Sequence, residues 1–233
     1  MENNLDHNTY LLINKKKLVI SVYTSSQKRI YLKELILKKE FSKLPLEEID
    51  YFINENIFKI EKLLKKFVEK ISILIDLDIF LIFRISVKKN NFESMVIREN
   101  LNFLLNEAKD CTKKTFNNQK IIHMLVDNYK IDNQNFSNLP HNLNGNQFSI
   151  DVKFICLGNN FIIELEKILK KYQISLNQIF CVSYIKKFLD ENEKDFFLMA
   201  QKLKDGLNPN EVVLTLKSKK KSGFFEKFFN LLS

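Results

Sequence analysis

The chain has 233 residues, a net charge of +9 at pH 7, 45% hydrophobic residues, and 21 Phe against only 4 Gly and no Trp. That is enough apolar material for one ordinary domain or two small subdomains. Four glycines, at Gly145, Gly158, Gly206 and Gly223, cannot build the usual phosphate-cradling loops. The excess of Lys, Asn, Ile and Phe over Arg, Gly, Ala and Pro resembles an A/T-rich coding bias, so the positive charge is discounted as a nucleic-acid signal.

In chain order, residues 1–8 read as loose. Leu18–Tyr23 and Ile30–Leu37 read as two strands joined by a polar turn at Thr24–Lys28. Pro45 opens a helix with Glu47 and Glu48 complementing its dipole. Its apolar stripe runs Ile49, Phe52, Ile53, Ile57, Ile60, Leu63, Leu64, Phe67, Val68 and Ile71 at helical spacing. Ile71–Phe83 is too short to cross a bilayer and carries Asp76 and Asp78, costly at its centre, so it reads as a buried strand. Overlapping its end, Ile79–Val87 reads as a continuous apolar run, as expected of a strand covered on both faces.

A second helix is expected over residues 93–115, with Val96, Ile97, Leu101, Leu104, Leu105 and Ala108 inward. Two long strands follow, 120–131 and 146–157, around an Asn-rich loop, Asp132–Gly145, that contains Pro140. A third helix over 160–172, a strand over 175–182 and a mostly helical stretch over 185–203 complete the body. Gly206 and Pro209 stop it. The fold class is α+β, a mixed α/β arrangement with no internal repeat.

The chain ends Lys-Ser-Lys-Lys-Lys-Ser-Gly-Phe-Phe-Glu-Lys-Phe-Phe-Asn-Leu-Leu-Ser, residues 217–233. On a helical wheel Phe224, Phe225, Phe228, Phe229, Leu231 and Leu232 fill one arc of roughly 160°. Ser222 occupies the N-cap position, and Lys217, Lys219, Lys220 and Lys221 come just before it. A clean apolar face beside a cationic cluster describes a helix lying in a membrane interface. Twelve residues cover about 18 Å, so it cannot span a core of about 30 Å. The competing reading is a terminal helix docked on the protein's own core. Each buried Phe or Leu is worth about 1.5–3 kcal/mol and each lysine near an anionic leaflet about 1 kcal/mol. Ordering the helix takes back about 1–2 kcal/mol per residue. One tail is therefore expected to bind weakly and reversibly, and clustered copies to hold.

Cys111, Cys156 and Cys181 are far apart and read as small buried residues in a reducing compartment. His7, His123 and His141 are isolated, and His123 reads as a core or edge residue of its strand rather than a ligand. No Ser, His and acid set, paired catalytic carboxylates, zinc-finger spacing or RNP-type aromatic strand is visible. No catalytic, cofactor-binding or metal-binding residue is assigned.

From about Asp78 to Leu189 the order of elements resembles the bacterial cell-division protein FtsA, an actin-like membrane tether. Ile121-Ile-His-Met-Leu-Val-Asp-Asn-Tyr-Lys-Ile-Asp132 is similar to a strand of that family's inserted subdomain. Leu139-Pro-His-Asn-Leu-Asn-Gly145 resembles the loop that follows. Val152–Leu157, then a helix, then Ile174–Phe180 resembles the return strand, helix and next strand. FtsA proteins also end in an amphipathic membrane-targeting helix.

The resemblance implies a partial actin-like (ribonuclease H-like) subdomain with an inserted strand-helix-strand-strand subdomain and a C-terminal amphipathic helix. Its divisions would fall at residues 1–76, 77–158 for the insert, 159–205 for the return, 206–221 for a basic linker and 222–233 for the helix. Where the family has a glycine-containing phosphate loop this chain has Ser21–Lys28 without one, and the second half of the actin-like core is missing, so no ATP or other cofactor is expected. The expected role is a non-enzymatic scaffold on the cytoplasmic face of the inner membrane, at the division site. Lys217, Lys219, Lys220, Lys221, Phe224, Phe225, Phe228, Phe229 and Leu232 would contact anionic lipids. Other division proteins and self-association would supply its protein contacts. The subdomain that docks FtsZ in the family is absent, which leaves direct FtsZ binding in doubt. Alternatives are an adaptor of type IV pilus assembly from the related actin-like family, and a basic nucleic-acid-binding protein. The leading reading includes no nucleic acid.

Overall fold

A computed structural model describes residues 7–41, 43–90, 98–140, 143–191 and 193–212. The strands β1 (His7–Asn14), β2 (Lys17–Thr24), β3 (Arg29–Ile36), β4 (Lys70–Asp76) and β9 (Ser175–Cys181) form one sheet. Its order is β3-β2-β1-β4-β9. β1 runs parallel to β4 and β4 to β9, while β2 is antiparallel to both β1 and β3. A mixed sheet with only its second strand reversed is the ribonuclease H-like arrangement from which actin-like cores are built. β4 is buried from Ile71 to Ile75, Ser72 included, because both its faces are covered.

β1 was not among the expected strands, and His7 and Asn8, expected to be loose, are its first two residues. Two polar turns reverse the chain around β2. In the first, Asn14 Oδ1 accepts the Lys16 backbone N–H. In the second, Thr24 Oγ1 accepts the Lys28 N–H and Gln27 takes a left-handed conformation.

The helices α1 (Leu46–Leu64) and α3 (Asn159–Lys171) cover one face of this sheet. Ile49, Ile53, Ile60, Leu165 and Leu169 pack there against Leu11, Ile13, Leu18 and Ile20. The expected stripe carried α1 on to Ile71, but the helix stops at Leu64, with Lys65 left-handed behind it. Val68 and Ile71 are still buried, one in the connecting loop and one in β4, whereas Leu63 and Phe67 point to solvent. Helical spacing persisted through the sequence by coincidence of loop and strand.

The opposite face is covered by α4 (Val182–Ile185) and α5 (Phe196–Lys204), joined through a 3-10 turn at Lys186–Phe188 and a bend. Phe197, Ala200 and Leu203 pack on Tyr10, Val19, Tyr23, Leu74 and Phe180. The stretch 185–203 is thus two helical pieces, because Asp195 caps a new helix by accepting the Phe197 and Leu198 backbone N–H groups. α5 closes with Gly206 N–H donating to the Leu203 carbonyl and Leu207 N–H to the Lys202 carbonyl, with Gly206 at φ +95°. This is a Schellman stop.

Ile71–Phe83, expected as one strand, divides at Leu77–Ile79 between two sheets. β5 (Phe80–Asn90), β6 (Gln119–Ile131), β7 (Gln134–Phe136) and β8 (Gln147–Gly158) form a second, antiparallel sheet of order β5-β8-β6-β7. β7 lies inside the stretch expected to be loop. β5 is a terminal strand with alternating exposure, so Ile79–Val87 is half-buried and not covered on both faces. Its alternate residues meet α2 (Arg98–Thr115), whose Leu104 and Ala108 sit over Met124, Val126, Phe148, Ile150, Val152 and Phe154. Val96 and Ile97 lie outside the described residues. Ile155 and Leu157, at the far end of β8, join the two cores of the first sheet. Cys156 and Cys181 are buried and free, but Cys111 is exposed on α2, against expectation. Burial pushes the Cys156 thiol up to about 11.

Candidate tethering site and the segment that carries it

Lys217, Lys219, Lys220, Lys221, Phe224, Phe225, Phe228, Phe229 and Leu232 all lie outside the described residues. What is described is the segment from which they depart. After the Gly206 stop, Glu211 N–H donates to the Asn208 carbonyl and Asn210 N–H to Asn208 Oδ1, which turns the chain towards β6. Val126 N–H then donates to the Asn210 carbonyl (2.9 Å) and Val212 N–H to the Met124 carbonyl (2.8 Å). Glu211 thus pairs antiparallel with Leu125. Residues 206–212 open the stretch read as a linker, and they are fixed to the body.

Side chains complete the attachment. His123 is buried on β6, and its Nε2 accepts the Cys181 backbone N–H (3.2 Å). A backbone amide only donates, so in the neutral ring the proton sits on Nδ1, which donates to Glu211 Oε1 at 2.7 Å. The other Glu211 oxygen accepts the Tyr184 hydroxyl (2.7 Å), and that hydroxyl accepts Asn208 Nδ2 (2.9 Å). Burial, with Glu211 beside it, raises the Tyr184 phenol well above its ordinary value. The Tyr129 hydroxyl donates to Asn210 Oδ1 at 3.3 Å, and Asn210 Nδ2 donates to the Ser137 carbonyl at 2.9 Å. His123 and Tyr184 are also in ring contact at 4.6 Å. Every polar atom named here has a partner, which makes the cluster a fastener. It ties the root of the tail to β6 and to the end of β9 together.

In open α/β sheets ligands bind at the carboxyl ends of parallel strands. At that end here, Asn14 Nδ2 donates to Asp76 Oδ2 (2.8 Å) and Lys186 pairs with Asp76 (3.0 Å). Lys15 pairs with Asp78, and Lys16 with Glu40 at 3.0 Å. The Lys15 ammonium holds the Asp78 carboxyl below its usual range. Ser21–Lys28 turns out to be the end of β2 and the turn into β3, and the chain's first hairpin precedes it at Asn14–Lys17. Neither turn contains a glycine. Among the described residues there is no group of three His, Cys, Asp or Glu able to hold a metal ion, and no helix long and apolar enough to cross a membrane.

Sequence reasoning placed His123 inside a strand but missed Glu211, Tyr184, Asn208 and Asn210 as its surroundings. Glu211 is 88 residues away in sequence, so no spacing could reveal the pair.

No protein-family model matches the chain, and no curated protein does. Solved structures are similar to it, among them the following three. The cytoplasmic domain of EpsL, an inner membrane component of the type II secretion system of Vibrio cholerae, aligns with 77% of this chain and 57% of its own at 9% identity and a TM-score of 0.37. A PilM–PilN type IV pilus biogenesis complex aligns with 76% of this chain and 48% of its own at 9% identity and a TM-score of 0.41. A Bacteroides thetaiotaomicron protein of unknown function with an actin-like ATPase fold aligns over 79% and 56% at 13% identity and 0.35. The chain spans about half the length of each of these chains.

Proposed function

We propose that the chain is a non-enzymatic scaffold held to the cytoplasmic face of the inner membrane by residues 217–233, with the two-sheet body presented to protein partners. The observation that carries this reading is the terminal sequence itself: four Phe and two Leu on one arc behind a cluster of four lysines. The fastening at His123, Glu211 and Tyr184 supports it, since a tether transmits nothing to a body from which its root can peel away. Cell division is the process proposed, on the resemblance to FtsA at residues 121–132, 139–145, 152–157 and 174–180. Binding of FtsZ is left out of the proposal.

Deleting residues 217–233 tests it directly. The protein, fractionated from cells, is expected to move from the envelope to the soluble fraction, and retention at the envelope removes the tail's role. Phe228→Glu is expected to weaken binding to anionic vesicles by at least tenfold, since a carboxylate replaces one side chain worth about 1.5–3 kcal/mol. Depletion in cells is expected to give filaments that fail to divide. Normal division, with loss of a pilus or of secretion instead, moves the scaffold to that machinery.

A further inference from the structure

The end of α1 carries a surface that the tail does not account for. Phe67 is 80% exposed and Phe58 72%, the two highest values for large apolar side chains among the described residues, and Leu63 between them is 52% exposed. The backbone explains the geometry. Lys65 takes a left-handed conformation that breaks the helix, and Glu61 Oε1 accepts the Val68 N–H and folds the loop back. In the loop between α1 and β4, Val68 is buried while Phe67 before it stands out in solvent. The loop leaves an outward residue there, but nothing in it requires that residue to be aromatic.

The charge around it is one-sided. Between Phe58 and Lys70 stand Lys59, Lys62, Lys65, Lys66 and Lys70, against Glu61 and Glu69, and Glu61 is engaged with the Val68 amide. A depression of about 540 Å³ beside Phe67 is lined by His7, Lys65, Lys66, Glu69 and Lys70. Cores of protein–protein interfaces are depleted in lysine. Exposed rings collared by ammonium groups instead suit an anionic bilayer surface, where each lysine contributes about 1 kcal/mol. Reach permits it. The ten residues from 213 to 222 extend up to about 35 Å, twice the radius of gyration of about 17 Å expected for a chain of this size.

We propose that this knob, Phe58 to Lys70, is a second contact with an anionic membrane, seating the body in one orientation beside its tail. The proposal rests on the tail reading only for bringing the body to the surface. An environment-sensitive fluorophore is attached to the full chain at Phe67→Cys, and in a second preparation at Phe228→Cys, both in a Cys111→Ser background because Cys156 and Cys181 are buried. Phosphatidylglycerol–phosphatidylcholine vesicles are expected to blue-shift both labels, and phosphatidylcholine alone to leave the label at 67 in water. A shift at 228 with none at 67 overturns the knob and leaves the tail reading standing. A shift at 67 without one at 228 upholds the knob and overturns the tail. No shift at either position overturns both. A shift at 67 that grows with protein concentration without vesicles reassigns the surface to protein contact, which also overturns the proposal. The double variant Lys65→Gln, Lys66→Gln, made without a label and with thermal midpoint as its folding control, is expected to bind anionic vesicles about thirty-fold more weakly. An unchanged affinity overturns the proposal.

Discussion

At the scale of single residues, Glu211 has the most to lose by substitution. Glu211→Ala removes the acceptor of both the buried His123 Nδ1–H and the Tyr184 hydroxyl. Each group left unsatisfied costs about 1–3 kcal/mol, which urea unfolding will read as a lower midpoint. A change below about 0.5 kcal/mol would mean that residues 208–212 are not fastened as described. Asp50 gives a pH signature. Hydrogen bonds from Lys171 and Tyr172 hold its carboxyl below the ordinary 3.8. A carboxyl lowered on folding stabilises the native state above its unfolded value, and that contribution disappears as the pH falls through the folded one. Wild type is therefore expected to lose stability below about pH 4 more steeply than Asp50→Asn, as measured by denaturation at stepped pH. Parallel curves would remove the pair from the account. Some residue roles were legible beforehand. Gly206 is legible as a stop, because a left-handed position after a helix selects glycine. Glu211 is not, because its partners come from distant strands.

Among the elements, those with a complete local signal were read to within about a residue. β6, β8, α3 and β9 were expected at 120–131, 146–157, 160–172 and 175–182, and they occupy Gln119–Ile131, Gln147–Gly158, Asn159–Lys171 and Ser175–Cys181. Failures came where one apolar run served two elements. Ile71–Phe83 supplies β4 to one sheet and β5 to the other, and periodicity cannot see a change of sheet. The reading of α1 ran past Leu64 because loop and strand residues happened to continue its spacing. Spacing alone runs α4 into α5, and it is the cap at Asp195 that separates them. Asp195→Ala is expected to cost about 1–2 kcal/mol, at the upper end for a cap because the Tyr23 hydroxyl loses its acceptor as well. Thermal unfolding measures it, and a neutral result would mean that α5 is held by packing alone.

For the whole molecule, the decisive comparison is between two truncations. Ending the chain after Val212 keeps the fastening and removes only residues 213–233. If the four tail phenylalanines serve a membrane, stability in solution is expected to stay within about 0.5 kcal/mol of the full chain. A loss of several kcal/mol would place those rings in the protein's own core and end the tether reading. Ending the chain after Asp205 also removes the Glu211 carboxylate and two backbone hydrogen bonds to β6, so that variant is expected to lose several kcal/mol. Equal stability of the two would mean that the root is not bound to the sheets.

The sequence by itself determined most of the secondary structure, the mixed α/β class and the amphipathic pattern of the last seventeen residues, because propensity, capping and periodicity are local properties. Only the tertiary structure decided that β1 and β4 are neighbours, that β5 belongs to a different sheet from β4, and that His123 meets Glu211. It alone decided that Phe67 faces water in a collar of lysines. Those outcomes depend on which surfaces bury one another across long stretches of chain, and neither spacing nor composition encodes that choice.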